Sequence, residues 1–257
     1  MAELKQVFGE PEGMVNLPHY YCPGCGHGVV NRMIMEVINE LDIAPKVNMV
    51  TSIGCSVRMW HYMPYDTVQA AHGRAPAVAT GLRRAIPSDR VIFTYQGDGD
   101  LASIGMAEII HAAARGEKFT VFFVNNSVFG MTGGQIAPTT LIGQKTVSCP
   151  TGRDPLTAGF PIRVAEMLAG LEGAAYVARV GTYDPQTTNR ARAAIKKALQ
   201  VQINGDGFSM VEFLSACPTN LHLTPVETVR WMRDDMVKAF PLGEFKVSEE
   251  VQRWASR

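Results

Sequence analysis

Apolar positions along this chain follow two rhythms. Between residues 29 and 41, Val30, Ile34, Val37, Ile38 and Leu41 recur at intervals of three and four, which predicts a helix with one buried face. Three later runs, 47–53, 91–95 and 119–124, are short, rich in β-branched residues and nearly continuous, as expected of strands buried on both faces. Each run stops at a polar or glycine-rich ending: Gly54-Cys55-Ser56, Gly97-Asp98-Gly99 and Asn125-Asn126.

Residues 101–114 are apolar on most sides and close on Arg115-Gly116, a glycine-capped helix between the second and third strands. Strand, helix and buried strand in that order require a parallel crossover. Residues 175–180, a helical 187–201 and residues 208–214 supply a second such unit. The expectation is therefore a doubly wound α/β fold on a mainly parallel sheet, with ligands outside the carboxyl ends of the strands. Residues 1–27 read as an irregular arm, 28–222 as the α/β domain and 223–257 as a C-terminal extension. Residues 127–161 carry Gly133, Gly134, Pro138, Gly143, Pro150, Gly152 and Pro155 without periodicity, and a loop of that length is usually functional. Residues 231–245, rich in Met, Phe and Pro, read equally as a docking surface or as core.

Composition narrows the function. Lysine plus arginine equal aspartate plus glutamate at 24 each, so no global field favours nucleic acid or an anionic membrane. Glu3, Lys5, Glu10 and Glu12 do not suit a secretory leader, and no apolar run approaches a membrane span. The expected location is the cytoplasm, where clustered cysteines hold metal rather than form disulfides.

The chemistry concentrates at the strand endings. Asp98 stands between two glycines, and the 25 residues from Gly99 to Asn125 allow one helix and one returning strand, so Asp98 and Asn126 should emerge side by side. A carboxylate and an amide carbonyl are the hard oxygen donors that Mg²⁺ takes beside phosphates. Gly-Asp-Gly alone is more often a surface turn, and the paired asparagines reverse that preference. Cys22-Pro-Gly-Cys25, Cys55 and Cys217 suit either a zinc ion or an iron–sulfur cluster. His72-Gly73 precedes a helix at 77–86 and reads as an anion contact or as a helix cap. Arg58 suits a carboxylate clamp or a surface ion pair, Met131 a pocket wall or packing, and His27 a hydrogen bond to the cluster or a structural role.

Gly-Asp-Gly, this spacer and Asn-Asn together resemble the signature of the thiamine-diphosphate enzymes. The cysteine pattern, Gly54-Cys55-Ser56, the Gly130-Met-Thr-Gly-Gly-Gln135 loop and Cys217-Pro218 extend the likeness over residues 20 to about 220. There the chain resembles the β subunit of the 2-oxoacid:ferredoxin oxidoreductases. The resemblance implies Mg²⁺ on Asp98, Asn126 and the Val128 carbonyl. Beside these ligands, it implies thiamine diphosphate near Ser56, His72, Gly73, Gly97, Gly99, Asp100 and Thr132. It implies a [4Fe–4S] cluster on Cys22, Cys25, Cys55 and Cys217, with Cys149 a spare thiol. The implied reaction converts a 2-oxoacid and coenzyme A to acyl-CoA and CO₂, passing electrons to ferredoxin. The implied companions are an α subunit carrying the aminopyrimidine-binding domain and its glutamate, with γ and ferredoxin-like δ subunits as further members. Arg58 would favour 2-oxoglutarate as substrate; Met131 and Gly133, where some relatives carry lysine, would favour 2-oxoisovalerate. Two rivals stand beside this reading: a non-redox decarboxylase half with structural zinc, and an inactive metal-binding module.

Overall fold

The computed structural model describes residues 9–255; the first eight residues of the arm lie outside the described part. In chain order the main strands are β1 (Val47–Thr51), β2 (Asp66–Gln69), β3 (Val91–Gly97) and β4 (Thr120–Asn125). A small antiparallel pair, β5 (Val128–Phe129) and β6 (Gln135–Ile136), is followed by β7 (Ala174–Val180), β8 (Phe208–Leu214) and β9 (Gly243–Val247). Seven strands form one sheet in the order β2-β1-β3-β4-β8-β7-β9, all parallel except β9.

Successive side chains of a strand point to opposite faces, and here each face has its own core. Phe93, Tyr95, Phe122, Val124, Val211 and Phe213 pack against α1 (His27–Glu40) and, later in the chain, the helix Pro185–Asn204. Ile92, Val121, Phe123, Val177 and Met210 face α2 (Ala75–Ala85), α3 (Met106–Ala114) and Val164–Ala169. Covering both faces explains why the strands read as unbroken apolar runs rather than alternating ones.

Several boundaries differ from the expectation, each for a local reason. The helix expected over 187–201 spans Pro185–Asn204, because Asp184 and Thr187 form a reciprocal capping box and Gly205 closes it in the left-handed conformation. The helix expected over 101–114 starts as a π turn, Asp100–Ile104, and resumes as α3 after Gly105. A Cβ on Gly105 would lie 2.6 Å from the Gly73 carbonyl oxygen, so this interruption lets two backbones touch. β2 and β9 were not foreseen: as edge strands, β2 is exposed throughout and β9 at best half-buried, so neither carries a buried run. In the 231–245 stretch, Met232, Met236 and Phe240 are buried with Leu141, Leu214 and Ala216, so these residues are core. Among the described residues no helix is long and apolar enough to cross a membrane.

β1 pairs with β2 on one side and β3 on the other, so the order in which strands are added to the sheet switches sides between β1 and β3. That switch opens a crevice beyond their carboxyl ends. The polar endings of β1, β3 and β4 meet there.

Candidate active site

A cleft of about 90 Å³ lies at these strand ends, lined by Ile53–Ser56, Gly97–Asp100, Asn126, Val128–Thr132, His27 and His72. Complete small-molecule sites occupy about 300–1,000 Å³, so this surface is one wall of a larger site. Asp98 is 2% exposed. Its Oδ1 accepts from the Gly99 amide at 2.9 Å and its Oδ2 from the Thr139 hydroxyl at 2.6 Å. Burial nevertheless outweighs these donors and pushes the carboxyl up to about 6. The flanking glycines have separate reasons: a Cβ on Gly97 would meet nothing within 4 Å, whereas one on Gly99 would strike the Phe129 ring at 2.4 Å.

Opposite Asp98, β4 ends in a tight turn. The Val128 amide donates to Asn126 Oδ1 at 3.2 Å, and Ser127 between them adopts φ 62°. Thr140 Oγ1 donates to the Ser127 carbonyl at 2.6 Å. Thr139 and Thr140, which brace the two sides of the site, belong to the long aperiodic segment and carry no motif by which the sequence reveals them.

Asp100 lines the cleft and also ties the protein together behind it. Its Oδ1 accepts from Ser52 Oγ at 2.7 Å and the Gly73 amide at 2.6 Å, with His72 Nδ1 at 2.5 Å; its Oδ2 accepts from Gln96 Nε2 at 2.6 Å. One buried carboxylate thus ties the loops after β1 and before α2 to the end of β3. Gly73 meets the site through this contact and through its close approach to Gly105, and it does not line the cleft.

The four cysteines expected as cluster ligands come together. Cys25 interacts electrostatically with Cys22, Cys55 and Cys217, and Cys22 interacts with Cys55 and Cys217. Burial first, then this mutual repulsion, pushes the Cys25 thiol up to about 12 and the Cys55 thiol to about 11. Asn220 Nδ2 lies 3.1 Å from both Cys217 Sγ and the Gly130 carbonyl oxygen. A Cβ on Gly130 would lie 3.4 Å from Asn126 Nδ2, 3.6 Å from Cys55 Sγ and 3.8 Å from Cys217 Sγ. Cys149 stands apart, its thiol 3.1 Å from the Gly152 carbonyl oxygen.

Not every expected contact is made. Arg58 lies over the Tyr20 ring at 5.5 Å and does not line the cleft, while Met131, 43% exposed, does. His27 also lines it: its Nδ1 is 2.6 Å from the Tyr95 hydroxyl, Tyr21 stacks on its ring, and burial lowers it to about 4.

The donor sets fit the groups the sequence implies. A dehydrated carboxylate beside an amide and a main-chain carbonyl suits a hard cation that would repay the burial of Asp98. Among the described residues no three His, Cys, Asp or Glu side chains are gathered closely enough to hold one metal ion. Four thiols within electrostatic reach of one another suit a metal centre, whether a zinc ion or an iron–sulfur cluster.

The family described as "Thiamine pyrophosphate enzyme, C-terminal TPP binding domain" matches residues 52–213. The chain is 49% identical over 243 residues to the ketoisovalerate oxidoreductase subunit VorA of Methanothermobacter thermautotrophicus, covering 95% of this chain and 51% of that one. It is 37% identical to the 2-oxoglutarate synthase subunit KorB of Methanocaldococcus jannaschii, covering 91% of this chain and 86% of that one. The structure of 2-oxoglutarate:ferredoxin oxidoreductase from Magnetococcus marinus, with 2-oxoglutarate, coenzyme A and succinyl-CoA bound, superposes with a TM-score of 0.76. That match has 26% identity and covers 98% of this chain and 90% of that one. The chain spans about half the length of the VorA relatives it matches. Its thiamine signature, its four converging cysteines and these likenesses agree: the chain belongs to the thiamine pyrophosphate enzymes, among the 2-oxoacid:ferredoxin oxidoreductase subunits.

Proposed function

We propose that this chain is the cofactor-bearing part of a coenzyme A-acylating 2-oxoacid:ferredoxin oxidoreductase. Asp98, Asn126 and the Val128 carbonyl hold Mg²⁺ beside the diphosphate of thiamine diphosphate, and Cys22, Cys25, Cys55 and Cys217 hold a [4Fe–4S] cluster. The observation that carries this reading is Gly130, where a methyl group would touch both the Asn126 amide and the thiols of Cys55 and Cys217. A structural metal has no need to sit one residue's width from a diphosphate site; an electron acceptor does.

Bound thiamine diphosphate supplies the electron sink for breaking the bond between the 2-oxo carbon and its carboxylate. The chain's own residues hold and shape the surroundings. Asp98 and Asn126 present oxygen donors, Asp100 fixes the loops on either side, and Phe129 and Met131 give the cleft an apolar wall. Met131 in the cleft, Arg58 outside it and the greater identity to the ketoisovalerate relative favour a branched-chain substrate such as 2-oxoisovalerate over 2-oxoglutarate. The small, open cleft supports a second half, carrying the aminopyrimidine-binding glutamate, on a partner α subunit. Ferredoxin, directly or through γ and δ subunits, receives the electrons. No membrane attachment is needed for these steps, which suits a cytoplasmic location.

Oxygen-free purification with the partner subunit, iron and sulfide analysis, and a panel of 2-oxoacids with coenzyme A and a viologen dye test this reading. About four irons per chain and fastest dye reduction with 2-oxoisovalerate are expected. Zinc in place of iron would sink the redox assignment and leave a non-redox decarboxylase half.

A further inference from the structure

We infer that the two asparagines at the end of β4 have separate tasks: Asn126 faces the cation, while Asn125 is a positioning residue anchored on a buried Glu212–Arg179 pair. The inference rests on the reading of Asn126 and Val128 as magnesium ligands. Asn125 is fully buried and uses both ends of its amide. Its Nδ2 donates to Glu212 Oε1 at 2.8 Å, and its Oδ1 accepts from the Ser127 amide at 3.2 Å. Ser127 is left-handed, a conformation a serine adopts only when its surroundings impose it. It also lies between the Asn126 side chain and the Val128 carbonyl. The orientation of this one residue therefore decides whether both oxygen donors face the same point.

Glu212 is anchored at its other oxygen by an ion pair, at a distance but not at an angle that makes a hydrogen bond. Oε2 lies 2.9 Å from Arg179 Nε, with both side chains at 0% exposure. Arg179 also donates to Glu166 at 3.0 and 2.5 Å and to the Pro241 carbonyl at 3.0 Å, and it lies 5.3 and 4.9 Å from the centres of the Phe240 and Phe245 rings. A buried ion pair is a poor source of net stability, since desolvation consumes most of its attraction. Its use here is geometric. A guanidinium held by Glu166, Pro241 and two rings keeps the Glu212 carboxylate from rotating, and the carboxylate keeps Asn125 across the turn. The sheet register places Asn125 beside Leu214 and Phe123 beside Glu212, so the anchor comes from the neighbouring strand one pleat away.

The test is a magnesium titration at saturating thiamine diphosphate, followed by calorimetry on the full-length protein with its partner subunit. Asn125→Ala should raise the magnesium midpoint by about 10- to 100-fold, the usual effect of removing a group that orients a ligand. Glu212→Gln should shift it the same way, because one amide cannot accept from Asn125 and from Arg179 together. The double variant should be no worse than the more affected single one. Asp184→Ala, which removes a helix cap distant from the site, supplies a destabilised control whose melting temperature falls while its midpoint holds. If Asn125→Ala does not fold, Glu212→Gln alone carries the test. A midpoint unchanged in a folded Asn125→Ala or Glu212→Gln protein, while Asn126→Ala abolishes binding, overturns the inference. A midpoint unchanged in Asn126→Ala overturns the magnesium reading instead.

Discussion

Asp98→Asn should make the cofactor-free protein more stable at neutral pH while abolishing magnesium-dependent cofactor binding. Burial raises this carboxyl from 3.8 to about 6, so the folded chain binds its proton more tightly than the unfolded chain does. The sign follows: the group costs nothing below pH 3.8, and its penalty grows as pH rises through that value and levels off above about 6. At 1.36 kcal/mol per tenfold change in proton affinity, the full penalty is about 3 kcal/mol. The amide escapes it, but its NH₂ turned to Thr139 makes that hydroxyl accept instead of donate and leaves the hydroxyl hydrogen without this partner, at a cost of about 1–2 kcal/mol. The variant should therefore be about 1–2 kcal/mol more stable at pH 8 and less stable by a similar amount at pH 4.

Urea unfolding of parent and variant, stripped of thiamine diphosphate and magnesium, measures that difference at each pH. The swing of about 2.5 kcal/mol between pH 4 and pH 7 does not depend on the hydrogen-bond cost, which is common to both ends. A difference flat over this range would refute the reasoning, because burial of an ionised Asp98 would then carry no penalty for a cation to repay. With magnesium and cofactor in excess the order should reverse, since ligand binding stabilises only the parent.

Three further substitutions probe other parts. Cys55→Ser should leave the melting temperature nearly unchanged in the metal-free protein and remove the iron and sulfide, read by colorimetric analysis after oxygen-free reconstitution. Gly99→Ala should cost about 1–3 kcal/mol and weaken cofactor binding, because its methyl group meets the Phe129 ring; Phe129→Ala in the same chain should restore the stability, as urea midpoints would show. Arg179→Leu leaves Glu212 buried without its partner and should lower the unfolding free energy by about 3–5 kcal/mol, measured by the same denaturation.

The sequence shows what repeats or punctuates. Strands buried on both faces appear as unbroken apolar runs, so the sheet core and its parallel connection are legible in 47–53, 91–95, 119–124 and 208–214. The polar endings are legible too, because Asp98, Asn126 and Cys55 interrupt those runs. Contacts made by single side chains across long separations are not. Thr139 holds Asp98 across 41 residues, Ser215 accepts from the Gly26 amide across 189, and Glu212 holds Asn125 across 87, each with one hydrogen bond and no pattern around it. Asp100 shows the same limit from the other side. Its place in the motif suggests the cofactor, and nothing in the motif announces the four donors, from Ser52, His72, Gly73 and Gln96, that the folded chain gathers around it. Arg58 stands beside the cluster loop in sequence and in space, where it lies over the Tyr20 ring and within electrostatic reach of Cys55.

The cysteines and the magnesium motif are read separately in the sequence, and the fold joins them through a residue that neither motif contains. Gly130 follows the short strand β5, and its α-hydrogen occupies space bounded by Asn126, Cys55 and Cys217. An alanine methyl group there makes ordinary van der Waals contact with all three, at 3.4–3.8 Å, so sterics alone do not require glycine in the metal-free chain. On the proposed assignment, a cluster bonded to Cys55 and Cys217 would change that balance by filling the space on the thiol side. The glycine then lets backbone alone separate two charged groups, and backbone is the thinnest partition a polypeptide can offer. The closeness of the two motifs, which the proposed electron transfer requires, therefore follows from chain topology. The cysteine after β1, the turn after β4 and the cysteine after β8 converge because a parallel sheet delivers all its carboxyl ends to one edge.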